Sequence, residues 1–167
     1  MPSTQLYEFS IPGFVSQRQW CVYIIVGSHK LTGVKNIYVG KVGDNRDGCN
    51  TIITRIGNHL SHNKVHSQFR NKIGDTTEYN YKIHFATFGE YIESNKESRD
   101  KINQLERVLN KIVQTKIIGF KNMDLKNPLA GKGYLSIQEK EYRKGLLSQN
   151  DVDIITKLAD KVIDSEV

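Results

Sequence analysis

The chain has 167 residues, carries 24 Lys/Arg against 18 Asp/Glu, and contains two cysteines. This length allows one domain whose core needs neither disulfides nor structural metal. Cys21 and Cys49 form no CxxC pair, which argues against a zinc knuckle or a disulfide framework and predicts a reducing compartment. The chain shows no secretory signal pattern and no apolar run of membrane-spanning length, so we expect a cytoplasmic protein without membrane association.

The excess of positive charge lies in the first half of the chain. Residues 1–82 carry ten Lys/Arg and five Asp/Glu, whereas residues 83–167 carry fourteen and thirteen. A basic half attracts polyanions, nucleic acid above all, through long-range electrostatics and counterion release. The charge alone is weak evidence, because a basic excess is more often a solvated face.

The start of the chain predicts an arm followed by a hairpin. Residues 1–17 are polar, contain two prolines and are interpreted as an N-terminal arm. The apolar runs over residues 20–26 and 36–42 are rich in β-branched and aromatic residues, and a polar segment with two glycines separates them. We therefore predict two antiparallel strands.

Two helices and a third strand are predicted after the hairpin. Asn50 ends a turn-rich loop and is suited to cap a helix. The apolar residues at helical spacing in that helix are Ile52, Ile53, Ile56 and Leu60. A short helix is predicted within residues 64–73, and the alternation over residues 79–88 predicts the third strand.

A long helix is predicted in the second half of the chain. Residues 94–116 show one apolar face at helical spacing, and Glu106 lies at the edge of that face. A glycine ends the pattern, and residues 120–134 are rich in asparagine, proline and glycine. We interpret this second segment as a loop.

Two further helices are predicted over residues 136–167, the first opening with a capping box from Ser136 to Glu139. We interpret them as a C-terminal extension of the main domain, which spans residues 18–135. The predicted fold class is α+β, with a small three-stranded antiparallel sheet flanked by helices.

Five residues with chemistry-bearing side chains occur in an ordered series. Tyr23 stands in the sequence CVY of the first strand and Tyr38 in YVG of the second. Arg55 and His59 follow one helical turn apart, and Glu106 comes late in the long helix. This series resembles the GIY-YIG nuclease family, although the first motif begins with cysteine and both motifs have valine for isoleucine.

The resemblance implies a fold and a site. The two tyrosines would lie on neighbouring strands of a three-stranded antiparallel sheet, and Glu106 would hold one divalent ion, Mg²⁺ or Mn²⁺. His66 is similar to a further histidine of the homing branch. The family asparagine that follows the glutamate would be Asn122, with Asn127 as the alternative. Lys41, which directly follows YVG, would join His66 and Asn122 in contacting phosphate.

The chemistry of phosphodiester hydrolysis suits these residue types. A metal on Glu106 can neutralise phosphate charge, and Arg55 offers a permanently charged fork that matches phosphate oxygens. His59, on the same helix face as Arg55, could hold phosphate or shuttle a proton. A phenol is a base at neutral pH only when cations favour the phenolate. We assign that role to Tyr23 and an orienting role to Tyr38, although the sequence does not decide between them.

The expected function is a metal-dependent endonuclease of the GIY-YIG type that cuts double-stranded DNA, of a compact restriction-type or phage-borne kind. Cutting both strands with one site per chain would require a homodimer or two binding events. The alternatives are a non-cleaving nucleic-acid-binding or regulatory module on the same fold, and a nuclease for branched or RNA substrates. The nuclease interpretation requires the two tyrosines, Arg55, His59 and Glu106 to line one basic cleft.

Overall fold

The computed structural model describes residues 4–43, 50–130 and 133–164. Most of the predicted loop before the first helix, including Cys49, lies outside the described residues. Four strands form one sheet, and their bounds are Gln19–His29 (β1), Lys35–Val42 (β2), Tyr79–Glu90 (β3) and Met123–Leu125 (β4). Their spatial order is β3-β1-β2-β4.

The α+β class is confirmed, but the prediction of a three-stranded antiparallel sheet is not exact. The central strand β1 is antiparallel to both β2 and β3, as predicted. The fourth strand, β4, lies in the segment interpreted as a loop and pairs with β2 in parallel, which makes the sheet mixed. Three residues are too few to show an alternating pattern, so this strand depends on pairing with β2 and on the burial of Met123 and Leu125.

Five helices accompany the sheet in the described part of the chain. Their bounds are Ile52–Leu60 (α1), Arg70–Ile73 (α2), Lys96–Lys116 (α3), Ile137–Gly145 (α4) and Gln149–Asp164 (α5). The cap of α1 is Thr51 and not the predicted Asn50, because the Thr51 hydroxyl accepts the backbone N–H of Thr54. The predicted second helix is reduced to the four residues of α2. The predicted cap at Ser136 is confirmed, since its hydroxyl accepts the Glu139 N–H at 3.1 Å.

The central strand buries a different cluster on each face. Residues of even number, from Trp20 to Val26, pack with apolar residues of α3 and α5 in the larger of the two apolar clusters. Residues of odd number, Cys21, Tyr23 and Ile25, face α1 and the ring of Phe69. Successive side chains of a strand point to opposite faces, so a single strand supports both clusters.

The C-terminal helices pack against α3. Ile155 of α5 is fully buried in the core between α3 and the sheet. Asp100 of α3 accepts a hydrogen bond from Arg143 of α4 at 3.2 Å, and Lys101 pairs with Asp151 of α5 at 2.8 Å. None of the helices in the described ranges has the length and apolar character needed to cross a membrane.

Candidate active site

A hydrogen-bonded chain joins β1 to α1. Arg55 Nε donates to the phenol oxygen of Tyr23 at 3.3 Å, and this oxygen lies 2.6 Å from His59 Nε2. Arg55 and His59 are four residues apart, so both project from one face of α1 toward the sheet. Because Arg55 can only donate, the Tyr23 hydroxyl is best used as a donor to His59. The order of donation is therefore Arg55 to Tyr23 to His59.

His59 is neutral in this arrangement. Its side chain is 0% exposed, and burial, followed by the nearby charge of Arg55, lowers its pKa to about 3. With Nε2 accepting from Tyr23, the ring proton lies on Nδ1. The Nδ1 atom is buried and has no hydrogen-bond partner among the described residues. His59 is thus held as an acceptor and not as a cation.

Tyr23 is fully buried and lies against a glycine. Burial raises the pKa of Tyr23 well above its ordinary value, even though Arg55 opposes the shift. Tyr23 is the cross-strand partner of Gly40, the glycine of YVG. A Cβ atom at Gly40 would overlap the phenol carbon and oxygen of Tyr23. The two sequence motifs therefore fit together physically, since the tyrosine of the first occupies the space above the glycine of the second.

Tyr38 is the half-buried tyrosine of the site, and its ring lies 4.6 Å from that of His59 between centroids. Burial raises the pKa of Tyr38 above its ordinary value. The charge of Glu106 raises it further, whereas Arg55 and Lys41 lower it. All three charged side chains therefore lie close enough to act on this one phenol. Tyr38 is therefore close both to Arg55 and His59 of α1 and to the pair formed by Lys41 and Glu106.

Glu106 pairs with Lys41 on the α3 side of the sheet. Lys41 Nζ donates to Glu106 Oε2, and both side chains are mostly buried. Lys41 has the same strand parity as Val39, which packs in the apolar core with α3. The negative charge of Glu106 contributes to raising the pKa values of Tyr23, Tyr38 and Arg55. Glu106 therefore lies close enough to Arg55 of α1 to affect its pKa, although its partner Lys41 projects from the opposite face of the sheet.

Arg55 remains charged within this cluster. Burial by itself lowers the pKa of Arg55, but the neighbouring Tyr23, Tyr38 and Glu106 act in the opposite direction and raise it overall. Its hydrogen bond to Tyr23 uses Nε, and its contacts leave the side chain partly exposed. A fixed and permanently charged guanidinium suits an anionic ligand such as phosphate.

The side chain of Asn127 forms hydrogen bonds with the backbone of β2, whereas Asn122 contacts β2 through its own backbone. Asn127 Oδ1 accepts the backbone N–H of Val39 at 3.1 Å, and its Nδ2 donates to the Val39 carbonyl at 2.7 Å. Asn122 is exposed, and its backbone carbonyl accepts the N–H of Lys35. Of the two asparagines left open by the sequence, Asn127 is therefore the one that supports the strand carrying Tyr38.

A buried asparagine that the sequence reading missed holds Asn127 in place. Asn110 of α3 is 1% exposed and donates to the Asn127 carbonyl at 2.9 Å. Its Oδ1 accepts the N–H of Leu129 at 3.2 Å. Asn110 lies one helical turn after Glu106, so α3 positions both the carboxylate and this brace. In the sequence, Asn110 could have been noticed as a polar residue next to Leu109 within the apolar stripe of the long helix.

His66 is the candidate that stands apart. It lies in an exposed turn, where its backbone N–H donates to Asn63 Oδ1 at 3.4 Å. Its predicted role in phosphate contact has no support from a side-chain contact with the cluster around Tyr23. Five candidates are associated, directly or through their charges, with that cluster, and they are Tyr38, Lys41, Arg55, His59 and Glu106.

The donor set restricts the kind of metal that could bind. Among the described residues, no three His, Cys, Asp or Glu side chains come together as a metal site. Glu106 is a single hard oxygen donor with the cations Lys41 and Arg55 nearby. This set fits a Mg²⁺-like ion that takes its remaining ligands from water and a phosphate, and it does not fit a metal held by protein side chains alone.

Searches with the whole chain found no matching protein-family model and no significant similarity to a curated protein or to a solved structure. The functional assignment therefore depends on the residues and their geometry.

Proposed function

We propose that the chain is a metal-dependent endonuclease that hydrolyses phosphodiester bonds of DNA, with a site of the GIY-YIG type. The observation that carries this proposal is the position of Tyr38, whose ring lies 4.6 Å from that of His59 between centroids and close to the charges of Glu106, Arg55 and Lys41. Two cations for phosphate, one carboxylate for a divalent ion and a phenol near them form a set suited to this reaction. The basic first half of the chain favours a nucleic acid as the substrate.

In this proposal Arg55 stabilises the charge that develops on the phosphoryl oxygens. Its guanidinium stays charged throughout, and its Nε bond to Tyr23 fixes its direction before substrate arrives. Lys41 supplies a second positive charge from the end of β2. A divalent ion, when bound by Glu106, would neutralise charge on the phosphate and assist the leaving oxygen.

The burial of the tyrosines changes their assigned roles. The sequence favours Tyr23 as the base, but burial raises its pKa and its oxygen is already hydrogen-bonded to Arg55 and His59. We propose instead that Tyr23 orients these two side chains. Tyr38 keeps part of its surface exposed, so it is the phenol that orients the attacking water. His59 remains neutral and accepts the hydrogen bond of the Tyr23 hydroxyl.

The proposal is tested by incubating supercoiled plasmid with the protein and Mg²⁺ and following nicked and linear products. Glu106→Gln removes the negative charge that would bind the metal, and Arg55→Lys keeps the positive charge but loses the planar fork of donors. Each substitution should slow cleavage by about 100-fold or more. Glu97→Gln, at an exposed position of the same helix α3, is the matched control and should cut at the normal rate.

The competing function is a module that binds nucleic acid without cleaving it. Failure of the unmodified protein to cut plasmid, linear duplex, branched DNA or RNA would overturn the nuclease proposal. Cleavage that is unaffected by Glu106→Gln would overturn the site assignment. Cleavage of RNA or branched DNA alone would overturn the choice of duplex DNA as substrate.

A further inference from the structure

Glu106, the carboxylate proposed to bind metal, already forms an ion pair with the ammonium group of Lys41. Lys41 Nζ donates directly to Glu106 Oε2. The exposed fractions of the two side chains are only 19% and 25%, so solvent screens their attraction incompletely. A divalent ion that approaches Glu106 must therefore compete with the lysine ammonium for the same oxygen.

The charge around Glu106 opposes a free metal ion for a second reason. Arg55 is close enough for its pKa to be raised by Glu106, so the carboxylate has two cationic neighbours, Arg55 and Lys41. In the described part of the chain, no group of three or more His, Cys, Asp or Glu forms a metal site that would offset them. The two cations outweigh the single carboxylate, so their net positive charge disfavours a divalent ion until another anion enters.

A nucleic-acid phosphate would supply that anion. It offers oxygen acceptors to the lysine ammonium and to the guanidinium, and it adds an oxygen ligand for a hard metal. Transfer of Lys41 from Glu106 to a phosphate would leave the carboxylate available to the ion. Phosphate and metal would then each favour the binding of the other.

We infer that the Lys41 ammonium occupies the position beside Glu106 that a metal ion would take. Metal binding would then depend on bound nucleic acid, which draws Lys41 away. The inference rests on the proposed function, since it regulates the same site. Binding couplings are reciprocal, so DNA should raise the affinity for metal by the same factor by which metal raises the affinity for DNA. The site would bind metal only weakly until a phosphate backbone is in place.

The first experiment measures Mn²⁺ binding to the full chain without DNA, by the loss of the free-ion signal in electron paramagnetic resonance. Lys41→Met removes the competing charge, and Lys41→Gln removes it while retaining a hydrogen-bond donor for Glu106. Both should bind Mn²⁺ about tenfold more tightly than the unmodified protein. Lys116→Met is the control, because it removes the same charge from an α3 ion pair with Asp160 at the far end of the helix. It should leave Mn²⁺ affinity unchanged.

The second experiment measures the coupling itself, by fluorescence anisotropy of a labelled DNA duplex with phosphorothioate linkages. Adding Mn²⁺ should raise the DNA affinity of the unmodified protein by about tenfold or more, and this factor should shrink in both Lys41 variants. Circular dichroism and thermal unfolding identify any variant that fails to fold, and one folded Lys41 variant is enough for the comparison.

The outcomes separate this inference from the function on which it rests. If Glu106→Gln abolishes Mn²⁺ binding but folded Lys41 variants bind as the unmodified protein does, the inference is wrong and the metal site stands. If Glu106→Gln leaves Mn²⁺ binding unchanged, the proposed metal site is wrong. Tighter binding in the Lys41 variants together with a reduced DNA coupling factor supports both.

Discussion

The two faces of β1 show how one strand supports two kinds of interior. On the α3 and α5 face, Val22 and Ile24 belong to a large cluster of buried apolar side chains. On the α1 face, Tyr23 is equally buried but is bonded to Arg55 and His59. The first face stabilises the fold by removing apolar surface from water, whereas the second holds polar groups that burial penalises. The part of the site formed by Tyr23, Arg55 and His59 therefore lies on the face where burial shifts protonation.

The largest effect is expected from a cavity on the apolar face. Ile155→Ala, at a fully buried position of α5, should lower the free energy of unfolding by about 2–5 kcal/mol. Denaturant unfolding measures this loss. The acid sensitivity described below for His59 should be unchanged, because α5 and α1 lie on opposite faces of the sheet. A loss of less than about 1 kcal/mol would contradict the close packing of Ile155, and a changed acid sensitivity would contradict the division between the two faces.

A smaller loss of stability is expected at the contact between the two tyrosine motifs. Gly40→Ala should lower the free energy of unfolding by about 1–3 kcal/mol, because the new Cβ overlaps the Tyr23 phenol. Gly57→Ala is the matched control, since a Cβ there meets no atom within 4 Å. In the helix α1 this change should stabilise the protein by about 0.5–1 kcal/mol. Equal effects of the two substitutions in denaturant unfolding would show that Tyr23 does not occupy this space.

The last effect concerns acid stability and tests the protonation of the α1 face. The pKa of His59 is about 3 in the folded protein, against an ordinary value of 6.5. Between these pH values the unfolded chain binds a proton that the folded chain does not, so stability falls as the pH is lowered. The contribution is about 1.4 kcal/mol for each pH unit in that window.

His59→Gln removes this titration and keeps a side chain that can accept from Tyr23. The free energy of unfolding of each protein is plotted against pH between about pH 4.5 and pH 6.5. The two slopes should differ by the equivalent of about one bound proton. The other histidines and the acidic residues are common to both proteins and cancel in the comparison. Parallel curves would mean that His59 is protonated or solvated in the folded state.

The strands that carry the tyrosines could be predicted because their pattern is local. The runs over residues 20–26 and 36–42 are long, apolar and rich in β-branched side chains, and the structure places β1 and β2 over them. Helix α3 could be predicted for the same reason, since its apolar stripe continues over many turns. Strand β4 could not, because a three-residue strand is stabilised by its neighbour β2 and has no pattern of its own.

The candidate site was only partly accessible from the sequence. The order of Tyr23, Arg55 and His59 predicted a common location, and the structure joins them by hydrogen bonds. The choice of Asn127 over Asn122 depends on which side chain reaches the backbone of β2, which spacing along the chain does not specify. The brace through Asn110 was missed because a single polar residue on a helical stripe gives only a weak signal.

The sequence by itself determined which residue types are present, their order, and the alternation that sends Tyr23 and Val22 to opposite faces of one strand. The tertiary structure decided how deeply each side chain is buried and which charges meet. Burial makes His59 neutral and Tyr23 a poor base, and folding brings Lys41 onto Glu106 across 65 positions of sequence. Protonation and ion pairing depend on the dielectric surroundings and on distances in space, and these exist only after the chain has folded.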